Sequence, residues 1–207
     1  MTAEPARPVA MQARGRKRRD ALLAAARLLL TERDSSQITL ADIAARAEVS
    51  KSSTYHFYTD AIELFVELVS ILDIELQAVI TQPVPPQENW EDVWGVAIDR
   101  AAIFFDDNPA AQQLMLSSQT APAIKRYSRS SDIDTGRLIE SMIDAQFVLP
   151  DIPDRSRVFF YAIEAADLMF GLSLFEGGTL RREMVEEAKR MSCAYLALYI
   201  PKHLPRR

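Results

Sequence analysis

Residues 39–57 read TLADIAARAEVSKSSTYHF, and this stretch decides the fold. Thr39 stands three residues before Asp42, the spacing at which a hydroxyl and a carboxylate cap each other's backbone amides at a helix start. The helix they open carries Leu40, Ile43 and Ala44 on its inner side and stops near Ala47. Glu48, Val49 and Ser50 then form a tight turn, with Ser50 placed to cap a second short helix through about Tyr58. Two short helices joined by three residues make a helix-turn-helix. The second is expected to expose Lys51, Ser52, Ser53, Thr54, Tyr55 and His56. This set of one cation, hydroxyls, a phenol and an imidazole suits both phosphate oxygens and the base edges of a major groove.

Upstream, residues 1–15 contain Pro5 and Pro8 and read as a disordered basic arm. A first helix follows over about 16–33, with Leu22, Ala25, Ala26 and Leu29 as its apolar stripe. Downstream, Asp60 and Glu63 open a long helix that runs through Leu64, Phe65, Leu68, Leu72 and Leu76 to Ile80, where Pro83, Pro85 and Pro86 end it. Further amphipathic stretches cover 88–107, 109–118, 132–147, 154–175 and 180–200. Gly177 and Gly178 separate the last two, with Thr179 as the expected cap. The expected architecture is all-α, with about nine helices. Residues 16–60 form a three-helix DNA-binding head, and 61–207 a larger effector-binding and dimerisation body.

The 207 residues carry a net charge of -5, but the sign is divided along the chain. Residues 1–60 hold 10 Lys and Arg against 7 Asp and Glu, whereas residues 61–207 hold 14 against 22. Six of the ten basic residues lie between positions 7 and 19, so one end can sit on phosphates while the acidic remainder stays off them. Cys193 is the only cysteine, which favours a reducing, cytoplasmic setting. Arg27 and Glu32 break the apolar run after the basic cluster, so neither a signal peptide nor a membrane span is expected there.

Val49, Ser50 and Lys51, followed by the aromatic cluster Tyr55, His56, Phe57 and Tyr58, resemble the tetracycline-repressor (TetR) family over about residues 16–66. The resemblance implies a dimeric repressor binding palindromic operator DNA. It places Thr39 on a phosphate, Ser50, Lys51, Ser52 and Ser53 at base edges or phosphates, and Tyr55 and His56 on the sugar-phosphate backbone. Ile43, Val49 and Phe57 become core of the head. Three positions depart from the family pattern. Glu48 stands where a turn glycine is usual, Ser52 where glycine is frequent, and Ala61 where a lysine often supports a phosphate contact. Arg16, Lys17 and Arg18, within the basic cluster, would compensate by reaching the adjacent minor groove.

In the body, Met184, Ala188, Met191, Tyr195 and Leu198 follow one another at spacings of 4, 3, 4 and 3, a seam for helix packing and the expected dimer interface. The preceding helix is apolar nearly all round and needs burial on several sides. Trp94, Phe104, Phe105, Met115, Met142 and Phe147 are core by default. The resemblance implies that the middle helices enclose a cavity, which these residues would line for a small lipophilic effector. Glu164 and Asp167 are the odd residues of the apolar helix: either they pair with arginines across the dimer, or they receive a cationic or hydroxylated effector.

No metal-ligand spacing, phosphate loop or dinucleotide motif accompanies the two histidines, so neither an enzyme nor a metal or cofactor is expected. The alternative is a helical interaction module of the same fold without DNA binding. The basic arm and hydroxyl-rich helix argue against it.

Overall fold

The computed structural model describes residues 9–207, which divide into two compact units after Leu68. The first contains α1 (Val9–Leu29), a 3₁₀ turn (Ser35–Gln37), α2 (Leu40–Arg46), α3 (Lys51–Phe57) and the start of α4 (Ala61–Ile80). α1 begins earlier than expected, so residues 9–15, read as arm, are helix; residues 1–8 of that arm lie outside the described residues. The head also extends past residue 60. Leu64, Phe65 and Leu68 of α4 are buried and belong to it, and Glu67 is tied to α1.

The core of the head is built from Leu22, Ala26, Leu29 and Leu30, with Ile38, Leu40, Ile43 and Ala44. The capping box forms as the spacing predicts. The Asp42 amide donates to Thr39 Oγ1 at 3.2 Å, and the Thr39 amide donates to Asp42 Oδ2 at 2.9 Å. Arg46 grips Glu32 through both carboxylate oxygens, at 2.9 and 2.6 Å, holding the end of α2 to the segment after α1.

The second unit contains the rest of α4, α5 (Trp90–Asp107) and the single turn α6 (Pro109–Ala111). That turn runs into a π-helical turn (Gln112–Leu116), and α7 (Pro122–Asp144), α8 (Arg155–Gly177) and α9 (Arg182–Leu196) follow. α7 starts well before the expected residue 132, with Pro122 in its first turn, where the missing amide hydrogen costs nothing. Gly136 lets α7 and α8 approach closely: a β-carbon there would lie 3.2 Å from Phe159 Cβ and 3.3 Å from the Phe159 carbonyl carbon.

Gly178, at φ 71, ends α8 by donating to the Leu174 carbonyl at 2.8 Å. Thr179 does not cap α9. The buried Ser173 hydroxyl bridges the turn instead, donating to the Thr179 carbonyl and accepting from the Arg181 amide, both at 2.8 Å. Arg100 closes the far end of α4 by donating to the carbonyls of Ile80, Gln82 and Pro83. Among the described residues α8 is long and apolar enough to cross a membrane by length and composition. Here Val158, Phe159, Ala162, Ile163, Ala166 and Phe170 are buried within the unit. One antiparallel bridge, Phe147 with Arg206, is the sole extended pairing among the described residues.

Candidate DNA interface and effector cavity

α3 is held by its ends. Ser50 accepts from the Ser53 amide at 3.3 Å, and the Tyr58 amide closes the last turn onto the Thr54 carbonyl at 3.0 Å. Glu48, in the turn before it, adopts φ 53, the left-handed conformation that a glycine would take without strain. Lys51, Ser52, Tyr55 and His56 are exposed, with Tyr55 56% accessible despite its size; Ser53 is partly covered. Thr54 departs from expectation: it is fully buried, its hydroxyl spent on the Ser50 carbonyl at 3.1 Å, because the fourth residue of α3 turns toward the head core. Ile43 is buried as expected, whereas Val49 and Phe57 are partly covered.

The basic cluster on α1 separates into two roles. Arg16, Lys17 and Arg18 are exposed, and Arg18 donates to Ser53 Oγ on α3 at 3.4 Å. Arg19 is structural. It donates to Tyr58 Oη at 3.3 Å and to Glu67 Oε2 at 3.0 and 2.6 Å, and the Tyr58 hydroxyl donates to the same carboxylate oxygen at 2.8 Å. Burial and the Glu67 charge push the Tyr58 phenol well above its ordinary range. Thr39 is exposed, but its hydroxyl already donates to Asp42 at 2.6 Å.

A cavity of about 400 Å³ lies within the second unit. Met115 and Leu116 of the π-helical turn, Lys125, Ser128, Arg129 and Asp132 of α7, and Glu164, Asp167, Leu168, Gly171, Leu172 and Phe175 of α8 line it. A narrower void of about 30 Å³, roughly enough for one water, shares Met115, Asp132 and Asp167 with it and reaches Leu76 and Ile80 of α4. Of the residues expected to line an effector site, Met115 meets both spaces and Phe105 the narrower one.

Trp94, Phe104 and Phe147 are buried as core, and neither they nor Met142 border these two spaces. Trp94 donates from Nε1 to Ser192 Oγ at 2.8 Å, and Phe147 sits under the Arg206 guanidinium. Aromatic size draws these side chains into the packed centre, leaving smaller aliphatic and polar groups around the void.

Glu164 finds its arginine within the chain: Arg129 Nε lies 3.0 Å from its carboxylate. Among the described residues, Asp167 and Asp132 have no such partner. Burial first, then the Glu164 charge, pushes Asp167 up to about 7. Burial with the charges of Asp167, Glu164 and Asp73 raises Asp132 well above its usual range. Asp73 on α4 is likewise pushed up to about 7 by burial, against a hydrogen bond from Ser131, and its Oδ2 is buried without a partner. Burial and the Arg129 charge lower Lys125, whose ammonium donates to the carbonyls of Met115 and Ser117. Asp132 is the site residue that sequence reasoning missed. Ile124, Ser128, Asp132, Thr135, Ile139 and Ile143 form one buried stripe at spacings of three and four, and that periodicity was the available signal.

The expected dimer seam is divided. Ala188 turns inward with Ser192, Leu196 and Ile200, every fourth residue, and is fully buried within its own chain. Met191 and Leu198 are exposed, and Met184 and Tyr195 partly so. Exposed Tyr161, Leu168, Leu172 and Phe175 form a row along α8, and the Tyr161 ring meets Tyr195 edge-on at 6.3 Å.

A short helix capped at its start, with its polar side chains clear of a small helical core, is the reading element of helix-turn-helix regulators, the class of protein this head defines. Residues 22–68 match the model of bacterial regulatory proteins of the tetR family, and residues 88–200 that of the tetracyclin repressor-like C-terminal domain. The second match alone spans more than half of the chain, which belongs to the TetR family of DNA-binding transcriptional regulators.

Solved structures agree in fold. A TetR-family transcriptional regulator from Streptomyces coelicolor is 18% identical, with a TM-score of 0.71 over 88% of this chain and 99% of that one. A TetR regulator from Rhodococcus sp. RHA1 is 18% identical, with a TM-score of 0.66 over 87% and 96%. The flavonoid-responsive regulator FrrA is 21% identical, with a TM-score of 0.54 over 91% and 100%. No curated protein matches the chain in sequence.

Proposed function

We propose that the protein is a homodimeric repressor released from a palindromic operator by a small, largely apolar effector. The observation that carries the effector half is the cavity of about 400 Å³, within the size range of small-molecule sites and walled by Met115, Leu116, Leu168, Leu172 and Phe175. That a protein of the same fold is described as flavonoid-responsive supports a small organic signal.

In this reading Ser50, Lys51, Ser52, Ser53, Tyr55 and His56 meet bases and phosphates. Thr39 and the exposed Arg16, Lys17 and Arg18 add backbone contacts. Tyr161 of α8 with Met184, Met191, Tyr195 and Leu198 buries itself against a second copy, setting two recognition helices roughly 34–36 Å apart on successive major grooves. α4 carries the signal. Leu76 and Ile80 border the void that adjoins the cavity, and the same helix begins at Ala61 beside the reading motif in sequence.

An effector releases DNA only if it binds the DNA-incompetent state more tightly, and by reciprocity the operator must weaken effector binding by the same factor. A ligand found by thermal-shift screening, titrated with and without operator DNA, tests this. Affinities differing by about five- to 150-fold are expected. Equal affinities contradict release through this cavity.

A further inference from the structure

We infer that the cavity takes an organic cation with an apolar body, its positive head seated between Asp132 of α7 and Asp167 of α8. The inference rests on the cavity being the effector site and adds the charge of its occupant. Asp132 is only 6% exposed, accepts no hydrogen bond among the described residues, and borders both the cavity and the adjoining void. Such a carboxyl is costly to bury and needs a donor or a counter-charge.

The charges facing it do not supply one. Asp73 approaches from α4, Lys125 and Arg129 from α7, and Glu164 and Asp167 from α8, while the α5 residues bordering the void, Ala97, Ile98, Ala101 and Phe105, are apolar. Arg129 is committed to Glu164, and the Lys125 ammonium to two backbone carbonyls. Four carboxyls therefore face two cations, neither of which pairs with Asp132 or Asp167.

Once these carboxyls ionise, an anionic ligand adds repulsion to the cluster, and a neutral one lacking a donor leaves Asp132 unpartnered. A cation supplies what is absent. The space is far larger than a metal ion needs, and the described residues hold no group of three side chains placed to ligate one.

Burial raises both carboxyls, so a cation arriving at a pH where they are protonated displaces those protons to solvent. Its affinity should therefore rise with pH, through the range around 7 to which Asp167 is raised.

Calorimetric titration of the full chain with octyltrimethylammonium, octanol and octanoate, which share one chain length, separates the possibilities. The permanent cation, which pairs by charge and donates no hydrogen bond, should bind at least about tenfold tighter than the alcohol, and octanoate should bind weakest where the carboxyls are ionised. Affinity for the cation should rise from pH 5 to 8, with proton release detected as a buffer-dependent heat. Asp132→Asn and Asp167→Asn should each weaken it about ten- to hundredfold and leave octanol unchanged.

Should either variant fail to fold, the wild-type pH dependence still decides. Cation binding no tighter than that of octanol, or independent of pH, or untouched by both substitutions, overturns the inference. If octanol binds and releases DNA while the cation does neither, the effector reading stands and this inference falls. If the cation binds through Asp132 and Asp167 but leaves operator affinity unchanged, this inference stands and the release reading falls.

Discussion

Arg19 and Glu67 meet at 2.6 Å, with the Tyr58 hydroxyl donating to the same carboxylate oxygen, so one basic residue of the α1 cluster is occupied in holding the head together. Arg19 is half-exposed, which limits the worth of the ion pair to about 1 kcal/mol. Arg19→Met should lower head stability by that amount in thermal melts. An unchanged melting temperature would show the ion pair to be idle.

The three neighbours behave oppositely. Replacing Arg16, Lys17 and Arg18 together by Gln should leave the melting temperature near that of wild type. The salt dependence of DNA affinity should flatten by about 0.9 in slope for every phosphate that these cations neutralise in the wild-type complex. An identical slope would place these side chains in solvent.

Glu48 sits at φ 53, where a β-carbon costs about 1–2 kcal/mol, partly offset by the greater unfolded-chain freedom of glycine. Glu48→Gly should therefore stabilise the head by about 1 kcal/mol, and Glu48→Val should destabilise it. Denaturant unfolding in which Gly proves no better than Val would contradict the turn geometry.

Carboxyls that are buried, as Asp73 and Asp132 are, or partly so, as Asp167 is, set a pH dependence. Asp73, Asp132 and Asp167 have raised folded-state pKa values, so their contribution to stability is complete below about pH 4. For Asp73 and Asp167 it is lost as the pH climbs to about 7, and for Asp132 as the pH climbs through its own raised value. Glu32, Asp42, Asp144 and Glu186 are held low, chiefly by hydrogen bonds from Arg46, Thr39, Arg207 and Lys189, and act oppositely by losing their contribution in acid. Asp73→Asn should flatten the decline between pH 4 and 7 and add on the order of 1–3 kcal/mol at pH 8. Melts in which the variant follows the wild-type profile would contradict the unpartnered Asp73 carboxyl.

Assembly is tested on α9. Met191→Asp and Tyr195→Asp, at exposed and partly exposed positions, should give monomers in sedimentation, since a charge opposed to its own copy across a two-fold is desolvated and unpaired. Dimers persisting in both variants would move the interface elsewhere.

The reading motif was legible because its determinants are local. Thr39 with Asp42 and Ser50 with the Ser53 amide act across three residues, and both caps form where the sequence places them. Thr54 was not, because its burial depends on the packing of α3 against the rest of the head. The seam on α9 shows the same limit: spacing groups Ala188 with Met191, but α9 is covered on one side by its own unit and Ala188 falls on that side. Glu164 and Asp167 stand out in an apolar helix, whereas Asp132 hides in a polar-looking one. What wraps the cavity is a tertiary fact, and the large aromatics expected to wall it are consumed by the core.

The central claim is that α3 reads DNA, and the affinity of Lys51→Ala and Tyr55→Phe for the wild-type operator tests it most directly. The operator is first obtained by selecting bound fragments with the wild-type chain. Both side chains stand clear of the head core, so both variants should keep the wild-type melting temperature. Lys51→Ala should lose about 1.5–3 kcal/mol of binding free energy with its ammonium, and Tyr55→Phe about 0.5–1.5 with its hydroxyl. Folded variants that bind the operator as tightly as wild type would contradict the account.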